Sequence, residues 1–250
     1  MPPRFEVIGV AGMPEIARGD DLGPLVVDAA HAQGTPLAHG DLLVVSQKIV
    51  SKTEGRIVRL DQVTVSPRAQ ALALEVDRDP RLVEVILGES RRIVRTAKGV
   101  LIVETHHGWI CANAGVDQSN VDADTACLLP VDSDASARAL RSRIAALTGH
   151  TLAIVIADTF GRPWREGLVN VAVGLAGFEP IVSYLGEVDP AGHVLQATIL
   201  ALADELAAAA EPVMGKLDRI PVAIIRGVPW TPAEADSRPL LRDPSRDLFR

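Results

Sequence analysis

The sequence is poor in cysteine, in aromatic residues and in long apolar runs, and each shortage excludes a class of protein. Its two cysteines, Cys111 and Cys127, form no CxxC pattern and have no histidine close enough to complete a zinc signature. Aromatic residues make up 3% of the 250 residues, so the core must consist of Ala, Val, Leu and Ile. No apolar run approaches ~18 residues and no signal-peptide pattern opens the chain, so we expect a cytoplasmic protein without a membrane span.

The sequence also lacks a strong excess of charge of one sign. Lys and Arg number 25 and Asp and Glu number 32, which gives a formal net charge of −7 without a long run of either sign. A nucleic-acid-binding protein would normally present a basic face, so no nucleic-acid partner is expected. An anionic substrate stays compatible, because local Lys and Arg side chains can bind phosphate on an acidic protein. The motifs GxxxxGKS/T and GxGxxG are missing, so any nucleotide site is neither a P-loop nor a Rossmann turn.

What the chain does contain is a mixture of short apolar strands and amphipathic helices. The strand-like patterns cover residues 5–10, 42–45, 92–94, 100–104, 152–157 and 221–225. The helix-like patterns cover residues 22–32, 66–76, 81–87, 137–147 and 195–206, whereas residues 106–124 resemble neither type. Because the elements follow no clean βαβ repeat and no linker interrupts them, we predict an α+β or irregular α/β protein, and of the two the α+β class, with residues 1–250 as a single unit.

The first candidate site is a polar loop after an apolar approach. It concentrates side chains that offer hard oxygen ligands to Mg²⁺ or Mn²⁺ and amide donors to a nucleotide. Gly115 allows the backbone to pack tightly there. These side chains are those of Asn113, Asp117, Gln118, Ser119 and Asn120. The alternative is a turn whose Asn and Asp side chains bond their own backbone.

The second candidate site follows the apolar run at residues 152–157, which is typical of a strand buried on both faces. The strand delivers Asp158 and Thr159 at its carboxyl end, where ligands bind in open α/β sheets. Gly161 is expected to turn the chain. Arg162 and Arg165 would follow within one loop, where guanidinium groups suit phosphate and carboxylate oxygens. The alternative is that Asp158 caps a helix and the arginines form surface ion pairs.

The third candidate site is the stretch at residues 46–55, again after an apolar strand. Lys48 and Lys52 stand four residues apart with the hydroxyl side chain of Ser51 between them, which suits an anion; alternatively, they belong to a solvated strand end. Cys111, beside the first loop, is interpreted as a small buried apolar residue and not as a nucleophile.

Four sequence blocks follow one another in an order that covers nearly the whole chain. They are Gly12-Met-Pro-Glu-Ile16 with Gly19-Asp-Asp-Leu22, Ser51-Lys-Thr-Glu-Gly-Arg56, Asn113-Ala-Gly-Val-Asp-Gln-Ser-Asn120 and Asp158-Thr-Phe-Gly-Arg-Pro-Trp-Arg165. In content and order they resemble the coenzyme F420:L-glutamate ligase family. The resemblance implies a two-lobed α+β fold with a mixed sheet, an intertwined homodimer, and no fused nitroreductase-like domain in this chain.

The resemblance also implies an activity and its ligands. The expected reaction is the GTP-dependent addition of L-glutamate to the phospholactyl end of the coenzyme F420 precursor, followed by extension of a γ-linked tail. Mg²⁺ or Mn²⁺ is the expected divalent metal, with K⁺ as a further cation. The implied metal positions are Asp117, Asp158 and Thr159. The implied nucleotide contacts are Met13, Pro14, Glu15, Ile16, Gln47, Lys48, Lys52, Asn120, Met214, Gly215, Lys216 and Asp218.

One position departs from the family pattern. An acidic residue that contributes to a second metal follows Met-Gly in relatives, but here Lys216 follows Met214 and Gly215. The departure either lowers the number of metals or moves the ligand role to Asp218.

The chemistry implied needs charge neutralisation and alignment, with no nucleophile from the protein. Metal ions on Asp117 and Asp158 would hold phosphoryl oxygens, with Lys52, Arg162 and Arg165 as cationic partners. Two rival functions are a metal-dependent phosphatase or kinase that uses the same carboxylates, and a non-catalytic protein that binds a deazaflavin or a nucleotide.

Overall fold

The structure, a computed structural model, describes residues 3–247. In this part of the chain the helices are α1 (Leu22–Ala32), α2 (Gln47–Thr53), α3 (Pro67–Val76), α4 (Pro80–Gly88), α5 (Ser133–Thr148) and α6 (Leu202–Met214). The strands are β1 (Glu6–Gly9), β2 (Leu42–Ser46), β3 (Ile57–Arg59), β4 (Ser90–Ala97), β5 (Val100–Thr105), β6 (Ile110–Ala112), β7 (Thr125–Cys127), β8 (Ala153–Arg162), β9 (Arg165–Phe178), β10 (Val182–Ser183), β11 (Ile199–Leu200), β12 (Val222–Arg226) and β13 (Pro232–Ala233).

A mixed six-stranded sheet forms the centre of the fold, in the order β1-β12-β2-β8-β9-β13. β2 and β8 run parallel, with Leu42 opposite Ala153, whereas the other neighbouring strands are antiparallel. Separate small sheets are formed by β4-β5-β6, by β3 with β7 and by β10 with β11. The predicted α+β class with a mixed sheet is therefore confirmed.

The middle of the central sheet is buried on both faces because residues 42–45 of β2 and 153–157 of β8 are apolar at every position. Residues of one parity, such as Leu43 and Ile154, pack with α1 and α5, and those of the other parity, such as Val44 and Val155, pack with α6. These four side chains are fully buried. The predicted apolar strand at 42–45 and the predicted strand buried on both faces at 152–157 are both confirmed.

Helix α5 approaches β9 closely at one glycine. A Cβ atom on Gly174 would lie 2.4 Å from Cβ of Ser133, the first residue of the helix. The adjacent carboxylate of Asp134 accepts the Leu175 backbone N–H at 2.8 Å, and from the other face Asp204 of α6 accepts the Ala172 N–H at 2.9 Å. Helix side chains thus hold β9 from both sides.

A second hydrophobic core, which we call the small core, lies outside the central sheet. It is built by α3 and α4 with β4 and β5, and its largest fully buried side chains are those of Leu60, Ile86 and Leu101. The helices begin where the sequence predicts, because Ser66 and Asp79 cap them with side-chain oxygens before Pro67 and Pro80.

Three sequence predictions are wrong. Gly161 does not turn the chain, because β8 continues through Arg162 before a hairpin to β9. Part of the stretch 106–124 does form regular structure, namely β6 and a 3₁₀ turn at Asn113–Gly115. The helix expected at 195–206 begins only at Leu202, since Ile199 pairs with Ser183 in the β10–β11 ribbon.

The helical spacing of Leu195, Ile199 and Leu202 was misleading because the first two side chains do not pack on the core: Leu195 lines a surface cavity, and Ile199 is 48% exposed.

Within the described residues, no helix combines the length and the apolar character that crossing a lipid bilayer requires.

Candidate active site

The polar residues singled out in the sequence gather at the carboxyl ends of β2 and β8. α2 begins at Gln47, directly after β2, and β8 runs on through Asp158 and Thr159 beyond the last residue paired with β2. Because the two strands are parallel, both carboxyl ends lie at one edge of the sheet. This edge is the place that the sequence analysis favours for a ligand.

Lys48 links α2 to the polar loop after β6. Its Nζ donates to Asp117 Oδ2 at 2.7 Å and to the backbone oxygen and Oγ of Ser119 at 2.8 Å each. Ser119 in turn donates its backbone N–H and its hydroxyl to the Asp117 carboxylate. Burial raises the pKa of Asp117, but the hydrogen bonds from Lys48 and Ser119 outweigh it and hold the pKa below its usual value. Asp117 is therefore ionised and fixed in orientation at neutral pH.

Asp158 lies in different surroundings. No ion pair within 4.0 Å reaches its carboxylate from residues 3–247, because Lys48 and Lys216 pair with other groups. The pKa of Asp158 is raised to about 6, chiefly by burial and further by the charge of Asp117, whereas the Thr159 backbone N–H and the charges of Lys216 and Lys48 act in the opposite direction. The charge of Asp117 thus acts on the carboxyl group of Asp158. The metal site that the sequence predicts between the two stays a prediction.

Thr159 belongs to a ring of hydrogen bonds and one ion pair on the other side of β8, since successive strand residues point to opposite faces. Its Oγ1 accepts a hydrogen bond from Lys216 Nζ at 2.5 Å and donates to Asn170 Oδ1 at 2.8 Å across the β8–β9 hairpin. Asn170 Nδ2 donates to Glu211 Oε2 at 2.7 Å, and Glu211 Oε1 lies 3.7 Å from Lys216 Nζ. The ring therefore joins β8, β9 and the carboxyl end of α6.

Sequence reasoning missed Asn170 and Glu211. The only signal for Asn170 is that it is an amide within the otherwise apolar end of β9, where it is 5% exposed. Glu211 gives no signal, because a glutamate in the last turn of a helix is usually solvated. Their pairing depends on how α6 packs against β9.

The predicted nucleotide segments also come together. Glu15 Oε1 accepts a hydrogen bond from Lys52, which holds the pKa of Glu15 below its usual value, and Arg219 acts in the same direction. Charged side chains from three segments therefore lie close enough to interact, namely from the amino-terminal segment, α2 and the loop after α6. Ile16 is buried and anchors the first segment in the core of the central sheet.

The other predicted nucleotide contacts differ in exposure. Met13 packs against the core, and Met214 is buried at the end of α6, whereas Pro14 and Asn120 are exposed. Gln47 is 1% exposed and its Oε1 accepts a hydrogen bond from Ser51 at 2.9 Å. The nucleotide roles of all these residues stay predictions.

The loop after α6 requires glycine at position 215. Gly215 has a φ of 57°, and a Cβ atom there would lie 2.5 Å from Asp218 Oδ2. The Asp218 carboxylate thus folds back onto Gly215, while Lys216 extends in the direction of Thr159. This arrangement separates the two residues that the sequence analysis proposed as alternatives.

Arg162 and Arg165 do not lie in a loop beside Asp158, and that expectation is wrong. They pair with each other at the ends of β8 and β9, about 13 Å along the strand from Asp158. Arg162 donates to the Glu166 backbone oxygen at 2.7 Å, and its buried Nε has no hydrogen-bond partner among the described residues. The catalytic roles predicted for the two arginines therefore stay predictions.

Both thiols near the carboxylates are protonated. Burial raises the pKa of Cys111 to about 12 and that of Cys127 to about 11. The interpretation of Cys111 as a small buried residue agrees with this environment.

The donor set fits a magnesium or manganese ion. Among residues 3–247 no group of three or more His, Cys, Asp and Glu side chains could hold a metal. Mg²⁺, however, is usually held by one or two carboxylates and completes its coordination with water and substrate phosphate oxygens. The carboxylates of Asp117 and Asp158 match that arrangement.

The fold and the site together define a class. This is an α+β protein that gathers two carboxylates and three of the four lysines of its sequence at one edge of a mixed sheet, near the ends of three chain segments. Carboxylates and cationic side chains so arranged can handle phosphate and carboxylate groups together with a divalent ion.

Comparison with known proteins identifies the family within that class. Residues 11–227 match the family model described as F420-0:Gamma-glutamyl ligase. The chain is 47% identical to the coenzyme F420:L-glutamate ligase of Methanothermobacter thermautotrophicus, over 98% of this chain and 99% of that protein. It is 42% identical to the protein of that name from Methanopyrus kandleri and 38% identical to the one from Methanocaldococcus jannaschii, in each case over at least 94% of both chains. The chain belongs to the F420-0:gamma-glutamyl ligase family, as its sequence blocks predict.

Proposed function

We propose that this protein is a ligase that uses GTP to join L-glutamate to the phospholactyl carboxylate of the coenzyme F420 precursor and then extends a γ-linked tail. Family membership over nearly the whole chain supports glutamate ligation in the biosynthesis of coenzyme F420. The single structural observation that carries the proposal is that Asp117, held by Lys48, acts electrostatically on Asp158, whose carboxylate has no ion-pair partner within residues 3–247.

The proposed reaction proceeds in two transfers. The acceptor carboxylate attacks the γ-phosphorus of GTP, the bond from that phosphorus to the β–γ bridging oxygen breaks, and GDP leaves with the electron pair. The amine of glutamate then attacks the carbonyl carbon of the acyl phosphate, an amide bond forms, and inorganic phosphate leaves while the amine proton passes to solvent. Every bond that forms or breaks lies in the substrates, so no protein nucleophile is needed.

The protein's part is to neutralise charge and align the reactants. Lys48 and Lys52 lie one turn apart on α2, and both are suited to phosphate oxygens. Mg²⁺ or Mn²⁺, held by Asp117 and Asp158, would neutralise phosphoryl oxygens and orient the γ-phosphate. K⁺ and the contacts with the guanine base belong to the same proposal and rest on the family resemblance.

A homodimer is part of the proposal. The ribbon of residues 181–201, which contains β10 and β11, exposes apolar side chains that no described element covers: Leu185, Val188, Val194 and Ile199 are 48–63% exposed. A cavity of about 470 Å³ lies beside them, lined in part by Tyr184 and Leu195. Apolar patches of this kind typically mark protein–protein interfaces. Light scattering on wild type and on Val188→Asp tests this part, and an unchanged mass would count against it.

One experiment separates this function from its rivals. Purified protein is incubated with GTP, MgCl₂ and the coenzyme F420 precursor, with and without L-glutamate, and GDP release and product mass are measured. The proposal requires a product heavier by one or more glutamyl units and GDP release that depends on glutamate. Release of phosphate without glutamate would indicate a phosphatase or kinase, and no turnover with retained binding would indicate a non-catalytic binding protein.

A further inference from the structure

The polar ring around Thr159 provides a positive charge that is part of the protein. Lys216 Nζ donates a hydrogen bond to Thr159 Oγ1 at 2.5 Å, beside the edge of the sheet where Asp117 and Asp158 lie. The Thr159 hydroxyl gives its single proton to Asn170, so it meets Lys216 with a lone pair. A divalent ion on this hydroxyl would have to approach the ammonium group at close range, and the neutral hydroxyl has no charge to offset the repulsion. Asp117 differs, because its carboxylate carries a negative charge beside the ammonium group of Lys48.

The ammonium group is held in place from a second direction. Glu211 lies 3.7 Å from Lys216 through one carboxylate oxygen and accepts the Asn170 amide through the other. Asn170 is 5% exposed and bridges the threonine hydroxyl to the glutamate carboxylate. A lysine that only formed a surface ion pair would not need a buried amide to join its two partners.

We propose that Lys216 is a fixed cation that acts in place of a second divalent ion on the Thr159 side of the site, and that Asn170 and Glu211 position it. One divalent ion, at Asp117 and Asp158, then completes the positive charge that faces a nucleotide triphosphate. This inference rests on the proposed function, because it assigns Lys216 to the phosphate groups of the same substrate.

The two faces of β8 keep the metal ion and Lys216 apart. The charge of Asp158 raises the pKa of Cys111 and Cys127 on the side of the strand where Asp117 lies. Thr159 points to the other side, where Lys216 follows α6. A metal at the two carboxylates therefore leaves the Thr159 hydroxyl to Lys216. The neighbouring Asp218 does not compete, because its carboxylate is folded onto Gly215.

The test counts metal ions and does not depend on catalysis. Free Mn²⁺ is followed by electron paramagnetic resonance while it is titrated into protein saturated with a non-hydrolysable GTP analogue, and the Mn²⁺ bound to the analogue alone is subtracted. Wild type is expected to bind one Mn²⁺ per chain. Lys216→Glu is expected to bind two, since a carboxylate then replaces the ammonium group beside Thr159.

A second pair of variants tests the role of the charge and of its positioning. Lys216→Met keeps the length of the side chain, so it should keep one Mn²⁺ and weaken binding of the GTP analogue about tenfold or more. Glu211→Gln keeps an acceptor for Asn170 but removes the attraction to Lys216, so it should weaken analogue binding about threefold. Lys98→Met is the matched control, because Lys98 is 85% exposed and pairs with Asp77 near the small core.

The outcomes separate the inference from the function on which it rests. Two Mn²⁺ per chain in active wild type, or analogue binding by Lys216→Met equal to that of the Lys98→Met control, would overturn the inference and leave the ligase function intact. One Mn²⁺ per chain together with no glutamate-dependent turnover would support the inference and refute the function.

Discussion

The two ends of the parallel strands β2 and β8 each carry an aspartate, in opposite circumstances. At the amino end, Asp41 is 1% exposed and its carboxylate accepts two hydrogen bonds from Arg226, at 2.8 and 2.7 Å, and one from the Ala38 backbone. At the carboxyl end, Asp158 has no ion-pair partner in residues 3–247, and burial raises its pKa to about 6.

The difference separates an aspartate that serves the fold from one that is available to a ligand. Asp41 fastens the start of β2 to the end of β12, so its charge is satisfied within the protein. Asp158 keeps a charge that the fold does not satisfy, which costs stability and is typical of a binding or catalytic group. Four predictions follow from this contrast, in order of decreasing effect.

Asp158→Asn should lower kcat by about 10²–10³-fold, because the change removes the charge that would hold a metal ion against the phosphates. It should not lower the free energy of unfolding, since no group in the described part of the chain forms an ion pair with that carboxylate. Glutamate-dependent GDP release and urea unfolding measure the two effects. A variant that unfolds more easily than wild type would show that Asp158, like Asp41, serves the fold.

Arg226→Ala should lower the free energy of unfolding by about 3 kcal/mol, because it leaves Asp41 buried without its counter-ion. The estimate is at the low end for such pairs, since the Arg226 side chain is 34% exposed. Urea unfolding gives the measurement, and activity per folded molecule should stay within about twofold of wild type. Arg238→Ala is the matched control, because Arg238 is 82% exposed and its pair with Asp236 is screened by solvent, so the free energy of unfolding should stay close to that of wild type.

Metal-free wild type should lose about 2 kcal/mol of stability relative to Asp158→Asn as the pH rises from 4 to 7. The sign follows from the pKa of Asp158, which folding raises from 3.8 to about 6: the unfolded chain loses the proton first, so deprotonation favours unfolding. Urea unfolding of both proteins at several pH values, with a chelator present, gives the difference. If the free energies of unfolding of the two proteins changed in parallel with pH, Asp158 would carry no unsatisfied charge and would not differ from Asp41.

Lys52→Ala should raise the KM for GTP about tenfold and leave the KM for glutamate within about twofold. The side chain is 17% exposed and stands on α2 one turn after Lys48, so under the proposed function its charge would act on the phosphate groups of GTP. Steady-state kinetics with each substrate varied in turn gives both constants, and Lys98→Ala is the control. Equal changes in the two KM values would indicate that Lys52 stabilises the structure at the carboxyl ends of β2 and β8 and does not bind GTP specifically.

Local patterns were sufficient to predict much of the fold. Apolar runs predicted β2 and the start of β8, and capping residues predicted the beginnings of α1 and α3. The course of β8 beyond Asp158 was missed, because Gly161 signals a turn in sequence although the strand pairs with β9 up to Arg162. The prediction that Arg162 and Arg165 follow within one loop was wrong for the same reason.

By itself the sequence determined the α+β class, the family and the polar residues that meet at the carboxyl ends of β2 and β8. These follow from short-range order, since hydrophobic periodicity and sequence blocks are properties of neighbouring residues. Only the tertiary structure decided which of the charges are satisfied. Asp41 meets Arg226, and Thr159 meets Lys216, across long stretches of chain that carry no local signal. Whether a carboxylate is paired or free depends on where distant segments are brought by burial of the core, and that is a property of the packed molecule.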